Sequence, residues 1–481
     1  MIFLESEMGQ SRTLSIFSLA MINVAAIGTV KNWPLIAENG LSTVFFLVLA
    51  ALVFFIPVSL VAAELATGWP KLGGVFVWVK EAFGHKTGFL SVWLSWVNNV
   101  IWYPTILSFI AAAIAYIFNP NLADHRLFTM IIMLILFWGI TFVNLLGMRT
   151  SSWISTIGVV LGSFVPAALI IFLGFSWFLG NNPTQITFSL KNLIPDVTSI
   201  DQVVIFIGVL LTLAGMEMSA VHARDVKNPQ RDYPKAILLS VVIILILSIL
   251  GVLSIAIVVP KEKISLVAGS LQAFAYFVEP YGLNWMTPYV AALIAIGAVG
   301  SISTWTVGPT KGLLAAAKQG DLPPSFRKVN KHGMPHVLLI AQAVIVTILS
   351  LMFLLMPTIN SAFWIITVMV AQLYLVMYIL MFAAAIKLRY KKPDVKRAYR
   401  VPFGNVGMWI ISGLGILSSF LALLVGFFPP TQITKENYPF YLSFLIVGMI
   451  ITCLGPTIIA KFKKPYWNTL LTHEEEAGKH E

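Results

Sequence analysis

The sequence predicts an all-α integral membrane protein, and three observations lead to that prediction. Hydrophobic residues make up 58% of the 481 residues and charged residues only 11%, whereas soluble globular proteins carry about 25% charged residues. The apolar residues form long runs, and the basic residues gather between these runs. Because such a chain cannot cover a water-facing surface of ordinary charge density, soluble multidomain folds are excluded.

Twelve apolar runs are long enough to cross a hydrocarbon core, which is about 30 Å thick and takes about 20 helical residues. They do not have the two-residue alternation of an outer-membrane barrel strand. The predicted fold is therefore a helical bundle with twelve transmembrane helices. The predicted spans are residues 13–36, 41–67, 87–118, 127–146, 150–179, 202–222, 236–259, 287–316, 336–356, 361–386, 406–428 and 438–460.

The distribution of basic residues predicts the orientation of the chain. Of the 31 Lys and Arg residues, 25 fall on one side of the predicted spans, and seven of these lie between Lys387 and Arg400. The positive-inside rule then places both termini in the cytoplasm. The net charge of +11 is explained by this topology, so nucleic acid is not an expected partner. The run from Lys387 to Arg400 is interpreted as a topology anchor near anionic head groups, with a lipid-binding or nucleic-acid patch as the alternative.

Cysteine and histidine usage excludes several kinds of site. The single cysteine, Cys453, excludes a disulfide framework, a cysteine-based zinc site and an iron–sulfur cluster. It lies in an apolar stretch and is interpreted as a buried, inert thiol. His332 and His336 are spaced like metal ligands, but Gly333 and Pro335 between them argue against a helix. We therefore expect neither a metal nor another cofactor.

The first predicted span is a poor continuous helix. Its middle, the segment AAIGT at 25–29, consists of small residues that end in Gly28 and Thr29, and Lys31 and Pro34 follow. Glycine weakens a helix, and a proline in a helix interior removes a backbone hydrogen bond. We therefore expect an interruption of this span.

The sixth span has a similar weakness, five spans later. Gly208 and Gly215 bracket the segment 210–214, and the ionisable Glu217 follows. Because five is odd, a repeat of the first five spans would enter the membrane from the opposite side, which is the arrangement of inverted-repeat transporters. In such proteins the substrate lies between two broken helices, on their backbone N–H and C=O groups.

Two ionisable residues near these interruptions are candidate functional groups. Glu217 lies near a helix centre, where a charged group needs a cavity or a partner. It is either a carboxyl that burial neutralises or that hydrogen-bonds to a neighbour, or a pathway group that senses or carries a proton. Lys31 is interpreted as the counterpart of Glu217, as a clamp for an acidic substrate, or as an interface residue that extends toward the head groups.

Aromatic and polar residues inside other spans are further candidates. Trp305 and the i,i+4 pair Tyr374 and Tyr378, which share a helix face, either line a ligand site or pack between helices. The polar residues Asn98, Asn99, Gln342 and Gln372 are interpreted as partners in interhelical hydrogen bonds, with a path-lining role as the alternative. Gly158 and Gly162 are interpreted as a helix-packing pair.

Three long segments carry a resemblance to a known family. They are FFIPVSLVAAELATGWPKLGGVFVWVKEAFG from Phe54, AGMEMSAVHARDVKNPQRDYP from Ala214, and WTVGPTKGLLAAAKQGDLPPSFRKVNKHGMP from Trp305. The second segment carries an NPxRDYP element after the predicted break, and the third carries a VNKxGxP element. From about Arg12 to Lys464, the sequence resembles the amino acid–polyamine–organocation transporters, and most closely their bacterial glutamate/γ-aminobutyrate antiporters.

The resemblance implies both an architecture and an activity. Residues 13–386 would form a ten-helix core of two inverted five-helix halves, and residues 406–460 two peripheral helices. A basic loop at 387–405 and cytoplasmic tails at 1–12 and 461–481 would complete the chain. The implied activity is amino-acid exchange by alternating access in a bacterial inner membrane.

The resemblance also implies a substrate site. Its residues are Ile27, Gly28, Thr29, Glu217, Trp305 and Tyr378. The interruptions themselves add Lys31, Ala214 and Gly215 to the predicted substrate site, with Glu217 as the pH-sensing group. Lys31 stands where the antiporters have an aromatic substrate contact. That departure favours an extra carboxylate on the substrate, or a lysine that replaces a positive charge of the substrate.

The expected function is therefore glutamate/γ-aminobutyrate-type exchange by a monomer or homodimer, with amino-acid substrates, membrane lipid around it and a functional link to a cytosolic decarboxylase. An enzymatic activity of the chain itself is not expected. The alternatives are a proton-coupled amino acid or amine symporter and a non-transporting amino-acid sensor. The short tail with His473, Glu474–Glu476 and His480 is either a pH-sensitive flap or a solvated segment.

Overall fold

The computed structural model describes residues 15–69, 74–147, 160–195, 200–217, 228–429, 433–464 and 467. The regular elements of these residues are helical, as the sequence predicts. The α-helices are α1 (Ile16–Ile27), α2 (Trp33–Ala37), α3 (Thr43–Ala50), α4 (Ile56–Gly68), α5 (Val75–Phe83), α6 (His85–Phe118), α7 (Arg126–Leu145), α8 (Val165–Leu179), α9 (Leu190–Leu193), α10 (Ile200–Thr212), α11 (Pro229–Val258), α12 (Gly269–Val278), α13 (Thr287–Lys318), α14 (His336–Ser350), α15 (Met352–Leu355), α16 (Ile359–Lys391), α17 (Gly404–Val425) and α18 (Tyr438–Lys461).

Ten helical stretches of the described residues are long and apolar enough to cross a membrane. They coincide with ten of the twelve predicted spans, with ends that differ by several residues. The first and sixth predicted spans are missing from this set because the helices there are short. The stretches are Gly40–Gly68, His85–Phe118, Arg126–Leu145, Gly162–Leu179, Arg231–Val258, Asn284–Ile302, His336–Leu355, Ile359–Lys391, Gly404–Val425 and Lys435–Lys461. The chain is a multi-pass membrane protein.

The predicted interruption of the first span is confirmed. Helix α1 ends at Ile27, and the N–H of Gly28 donates to the carbonyl of Val24 at 2.8 Å. Thr29 is extended, and the 3-10 turn Val30–Asn32 leads into α2. The backbone therefore leaves its helical path at the small residues that predict the break.

The sixth span is also interrupted, but the break begins later than predicted. Helix α10 continues through Gly208 and ends at Thr212. Gly208 is a packing residue, because a Cβ atom there would lie 3.1 Å from the side chain of Leu35 and 3.3 Å from that of Trp364. Gly215 has φ = +117°, a backbone conformation that favours glycine.

Helix α12 lies between the seventh and eighth predicted spans, and the sequence analysis did not predict it. Its Leu271, Phe274 and Phe277 are buried at helical spacing. The hydroxyl of Ser270 donates to the carbonyl of Val30 at 2.7 Å. Helix α12 therefore fixes the 3-10 turn that follows the first break.

Proline has no backbone N–H, so the carbonyl four residues before it loses its usual hydrogen-bond donor. At three prolines inside or at the start of helices, a side chain of another helix donates to that carbonyl instead. Asn99 and Tyr103 each donate to the Trp305 carbonyl at 3.0 Å, four residues before Pro309. The Val53 carbonyl, four residues before Pro57, accepts from the Ser418 hydroxyl at 3.0 Å. The Thr452 carbonyl, four residues before Pro456, accepts from the Trp93 indole N–H at 2.9 Å. Side chains of neighbouring helices thus complete the backbone hydrogen bonding.

The predicted basic anchor is partly an internal structure. Arg389 forms a two-pronged pair with Glu64, with distances of 2.6 and 2.5 Å, and Arg397 approaches the same carboxylate at 3.3 Å. The N–H of Val401 donates to it at 2.7 Å. All three charged side chains are buried. For Arg389 and Arg397, the interpretation as head-group anchors is therefore wrong, because both charges serve to hold α16 and its loop against α4.

Three lysines of the same run contact helix α5. Lys387 lies 4.5 Å from the centre of the Phe83 ring. Lys391 donates to the carbonyl of Glu81 at 3.3 Å, and Lys392 pairs with the Glu81 carboxylate. These contacts attach the basic loop to the short helix that precedes α6.

Several interhelical predictions can be compared with the structure. Gly162 meets Gly297 of α13 so closely that a Cβ atom on Gly162 would lie 2.3 Å from the Gly297 backbone. The packing role predicted for Gly162 is confirmed, whereas Gly158 lies outside the described residues. Gln342 accepts from Thr310 at 3.0 Å, and Gln372 donates to the Leu423 carbonyl at 3.3 Å. The N-terminal tail and the histidine-containing C-terminal tail also lie outside the described residues.

Candidate functional site

A cavity of about 120 Å³ lies between the two interrupted spans. This volume has room for several water molecules, since each needs at least roughly 10–15 Å³. Helices α6, α13 and α16 form the other walls, together with Gly162 and Ser163. The lining residues used below are Ile27, Thr29, Lys31, Asn98, Asn99, Trp102, Thr105, Ala214, Gly215, Trp305, Pro309, Phe363 and Tyr374.

The structure brings most of the predicted site residues to this cavity. Ile27, Thr29, Lys31, Ala214, Gly215 and Trp305 line it. Gly28, Glu217 and Tyr378 are not among its lining residues. Glu217 is 3% exposed and Tyr378 is fully buried. The predicted set is therefore divided between the cavity wall and a layer behind it.

The interrupted backbone supplies polar groups at the cavity. In the first break, the N–H of Thr29 donates to the carbonyl of Ile27 at 2.8 Å. Within the described residues, the carbonyl of Gly28 accepts no backbone hydrogen bond. In the second break, the N–H of Gly215 donates to the hydroxyl of Tyr378 at 2.8 Å. Among the described residues, the Gly28 carbonyl thus has no backbone donor, although Gly28 does not line the cavity, while the N–H of Gly215 is occupied.

Glu217 is held by two tyrosines from α16. The Tyr374 hydroxyl donates to Oε1, and the Tyr378 hydroxyl donates to Oε2 at 2.5 Å. The two rings lie 4.9 Å apart, which confirms that they share a helix face. Phe54 packs edge-on against Tyr378 with 5.0 Å between ring centres. In this conformation Glu217 is a buried carboxyl that hydrogen-bonds to its neighbours, which is the first of the two alternatives given above for this residue.

Tyr374 separates Glu217 from the main cavity. It lines both that cavity and a small space of about 10 Å³ behind it, which Phe54 and Tyr378 also line. Tyr374 therefore contacts both Glu217 and the cavity.

Lys31 faces the cavity and is 6% exposed. Its Nζ donates to the Thr105 hydroxyl at 3.0 Å and lies 5.2 Å from the centre of the Trp102 ring and 5.5 Å from that of Phe363. The alternative in which Lys31 extends toward the head groups is wrong, because its ammonium group is enclosed. Within the described part of the chain, Lys31 and Glu217 form no salt bridge.

Trp305 contributes to the cavity wall and is fixed through its backbone. Its carbonyl accepts from Asn99 and Tyr103, as described above, and its ring centre lies 6.0 Å from that of Trp102. The Asn98 side chain donates to the carbonyl of Val370 on α16 at 2.8 Å. The interhelical hydrogen bonds predicted for Asn98 and Asn99 are confirmed, and both residues also line the cavity.

Sequence reasoning missed several residues at this site. Trp102 and Thr105 lie inside a long apolar run, where a polar residue is a functional signal, but the threonine was not selected. Phe363 carries no signal that distinguishes it from a packing residue. Tyr374 was identified as a candidate but did not enter the implied set, because the resemblance points to Tyr378.

Comparisons with known proteins identify the family of this chain. A family model described as amino acid permease matches residues 11–451. The chain belongs to the amino acid permease family. An uncharacterized transporter of Legionella pneumophila is 47% identical over 450 residues, which cover 94% of this chain and 97% of that protein.

Two further relatives of this permease are named for their substrates. A glutamate/γ-aminobutyrate antiporter of Lactococcus lactis is 35% identical over 454 residues, which cover 93% of this chain and 90% of that protein. A cadaverine/lysine antiporter of Escherichia coli is 28% identical over 351 residues, 72% of each chain. The relatives are transporters, so the family implies small-molecule amino-acid substrates.

Proposed function

We propose that this permease is an amino-acid antiporter that works by alternating access and carries out glutamate/γ-aminobutyrate-type exchange. The observation that carries the proposal is one cavity lined by the two interrupted spans, with an aromatic wall. The antiporter from Lactococcus lactis, similar over most of its length, supports the choice of exchange and of substrates.

The proposed architecture follows the sequence prediction. Twelve spans cross a bacterial cytoplasmic membrane with both termini inside, and residues 13–386 form the inverted-repeat core. Residues 406–460 form the two peripheral helices, and 387–405 the loop between core and periphery. The proposal is supported by the two interrupted spans, which lie five spans apart in the sequence.

In the proposed substrate pose, the α-amino and α-carboxyl groups bind the backbone of the two interruptions. The ammonium group contacts the carbonyl of Gly28, and the carboxylate takes the N–H groups of Thr29 and Gly215 from their present acceptors, the Ile27 carbonyl and the Tyr378 hydroxyl. Trp305 and Tyr374 flank the substrate side chain. Tyr378 and Glu217 join the site when Tyr374 moves aside, and Glu217 then serves as the proton-sensing group.

The proposed physiological role follows from the exchanged compounds. Decarboxylation of an amino acid consumes one proton, because the carboxylate that leaves as CO₂ is replaced by hydrogen. An exchanger that imports the acid and exports the amine product would therefore remove protons from the cytosol together with a cytosolic decarboxylase.

Exchange in proteoliposomes tests this function. Vesicles preloaded with glutamate, γ-aminobutyrate, glutamine, arginine or buffer are given radiolabelled glutamate or glutamine at pH 5.5 and 7.5. Uptake that requires an internal amino acid is the expected result. Equal uptake into empty vesicles would overturn exchange in favour of proton-coupled symport, and binding without flux would favour a sensor.

A further inference from the structure

We propose that Lys31, Thr105 and Trp102 form a carboxylate subsite, which makes the cavity selective for amino acids with an ionised carboxylate at the end of the side chain. Glutamate has this group, and γ-aminobutyrate keeps it when the α-carboxyl group is lost, so both exchanged compounds belong to the ligand class. This proposal rests on the proposed function, because it assigns a substrate class to the same cavity.

The charge of the cavity lining supports this assignment. Among the described residues that line it, Lys31 is the only lysine, arginine, histidine, aspartate or glutamate. The nearby carboxylate of Glu217 is bound by Tyr374 and Tyr378 and lies behind the wall. A substrate in the cavity therefore meets one formal positive charge without a compensating negative charge in the lining.

The position of the Lys31 ammonium group is fixed from both ends. Its backbone belongs to the 3-10 turn that Ser270 holds at 2.7 Å. At the other end, the Thr105 hydroxyl donates to the carbonyl of Trp102 at 2.8 Å, so its lone pair is left to accept from Lys31. A site that is ordered before binding loses little conformational freedom when the ligand arrives.

The ammonium group also has donors to spare. A protonated lysine has three N–H donors, and within the described residues Thr105 is the one hydrogen-bond acceptor found for Nζ. The faces of Trp102 and Phe363 add weak attraction for the cation but accept no conventional hydrogen bond. A buried charge without a counterion is unfavourable, so an ionised carboxylate is the ligand group that this arrangement favours.

The same charge disfavours cationic ligands. A substrate with a second ammonium group would place two positive charges in one enclosed space of low dielectric, where their repulsion is strong. The cadaverine/lysine antiporter of Escherichia coli, by its name, carries such amines. Lys31 therefore separates acidic amino acids from amines of similar length.

Competition in the exchange assay tests the subsite. Glutamate and glutamine, which have nearly the same shape, compete for uptake of a labelled substrate into loaded vesicles at pH 5.5, where a lysine is protonated and the side-chain carboxylate of glutamate is ionised. The wild type should prefer glutamate. Lys31→Met should weaken glutamate binding by about 10- to 100-fold, the loss expected for one hydrogen bond between charged groups, and leave glutamine binding nearly unchanged.

Two further variants complete the test. Thr105→Val keeps the shape but removes the acceptor that orients Nζ, and should reduce the preference for glutamate by a smaller factor. Lys191→Met removes an exposed lysine outside the cavity and should behave as wild type. Lys31→Arg keeps the positive charge and should keep the preference for glutamate. This variant tests the subsite even if Lys31→Met fails to fold.

The outcomes distinguish the two proposals. An unchanged glutamate-to-glutamine ratio in Lys31→Met, or a preference for glutamine in Lys31→Arg, overturns the carboxylate subsite and leaves the exchange function standing. A wild type that exchanges none of the amino acids, although it is folded and inserted, overturns the proposed function itself.

Discussion

Tyr378 uses one hydroxyl group to bind Glu217 and the backbone that precedes it. The hydroxyl donates to Oε2 of Glu217 at 2.5 Å and accepts the N–H of Gly215 at 2.8 Å. Gly215 needs this partner because φ = +117° takes it out of the helix, so its N–H has lost the usual helical acceptor. A residue of α16 thus stabilises the interruption after α10.

Substitution of Tyr378 should therefore lower the stability of the protein more than substitution of Tyr374. Tyr378→Phe leaves the Gly215 N–H and one Glu217 oxygen without their partner, and should lower the free energy of unfolding by about 2–3 kcal/mol. Tyr374→Phe removes one bond to Glu217 and should cost about 1 kcal/mol. Thermal unfolding of both variants in the same detergent measures the difference, and equal midpoints would contradict it.

Glu217→Gln should flatten the pH dependence of exchange between pH 5.5 and 7.5. The amide keeps an oxygen that can accept from Tyr374 or Tyr378, so the protein should fold, but it can no longer take up or release a proton. Glu262→Gln, on an exposed turn, is the matched control and should retain the wild-type profile. If the Glu217→Gln profile matched the wild type, the carboxyl would have a structural role alone.

The buried pair of Glu64 and Arg389 predicts a strong effect on stability. Glu64→Gln leaves Arg389 and Arg397 buried without a negative partner, and should lower the free energy of unfolding by about 3 kcal/mol. Glu81→Gln is the matched control, since its pair with Lys392 is partly exposed and should contribute less than about 1 kcal/mol. Thermal unfolding in detergent compares them, and a Glu64→Gln variant as stable as Glu81→Gln would contradict the prediction.

Pro309 and Asn99 should be energetically coupled. Asn99→Leu removes one donor from the Trp305 carbonyl and should cost about 1 kcal/mol. Pro309→Ala restores a backbone N–H to the same carbonyl, so the Asn99→Leu substitution should cost less in that background. A double-mutant cycle on unfolding free energies measures the coupling. Strict additivity would show that Asn99 stabilises the protein by some other contact.

Local chemistry predicted the interruptions of the two spans, because glycine and proline act on their own segment of backbone. Gly28 and Gly215 mark where the helices end. Gly208 was misassigned, since its role depends on Leu35 and Trp364, which lie far away in the sequence. A glycine that breaks a helix and one that admits a neighbour look alike in a single sequence.

Contacts between distant residues account for most of what the sequence did not predict. Thr105 follows Lys31 by 74 residues, and Arg389 follows Glu64 by 325. Hydropathy identifies the helices that carry these side chains but does not show which faces meet. The i,i+4 spacing placed Tyr374 and Tyr378 on one face, yet their division between cavity wall and buried layer depends on tertiary packing.

The distribution of missing backbone hydrogen bonds has a mechanical consequence. A helix resists bending because backbone hydrogen bonds join each turn to the next, and sharp bends occur where these hydrogen bonds are missing. Gly28 and Gly215 lie at the breaks of two spans beside the cavity, and Pro309 removes one backbone hydrogen bond inside the continuous helix α13. We therefore expect these elements to bend at the depth of the cavity, where a bound molecule contacts them.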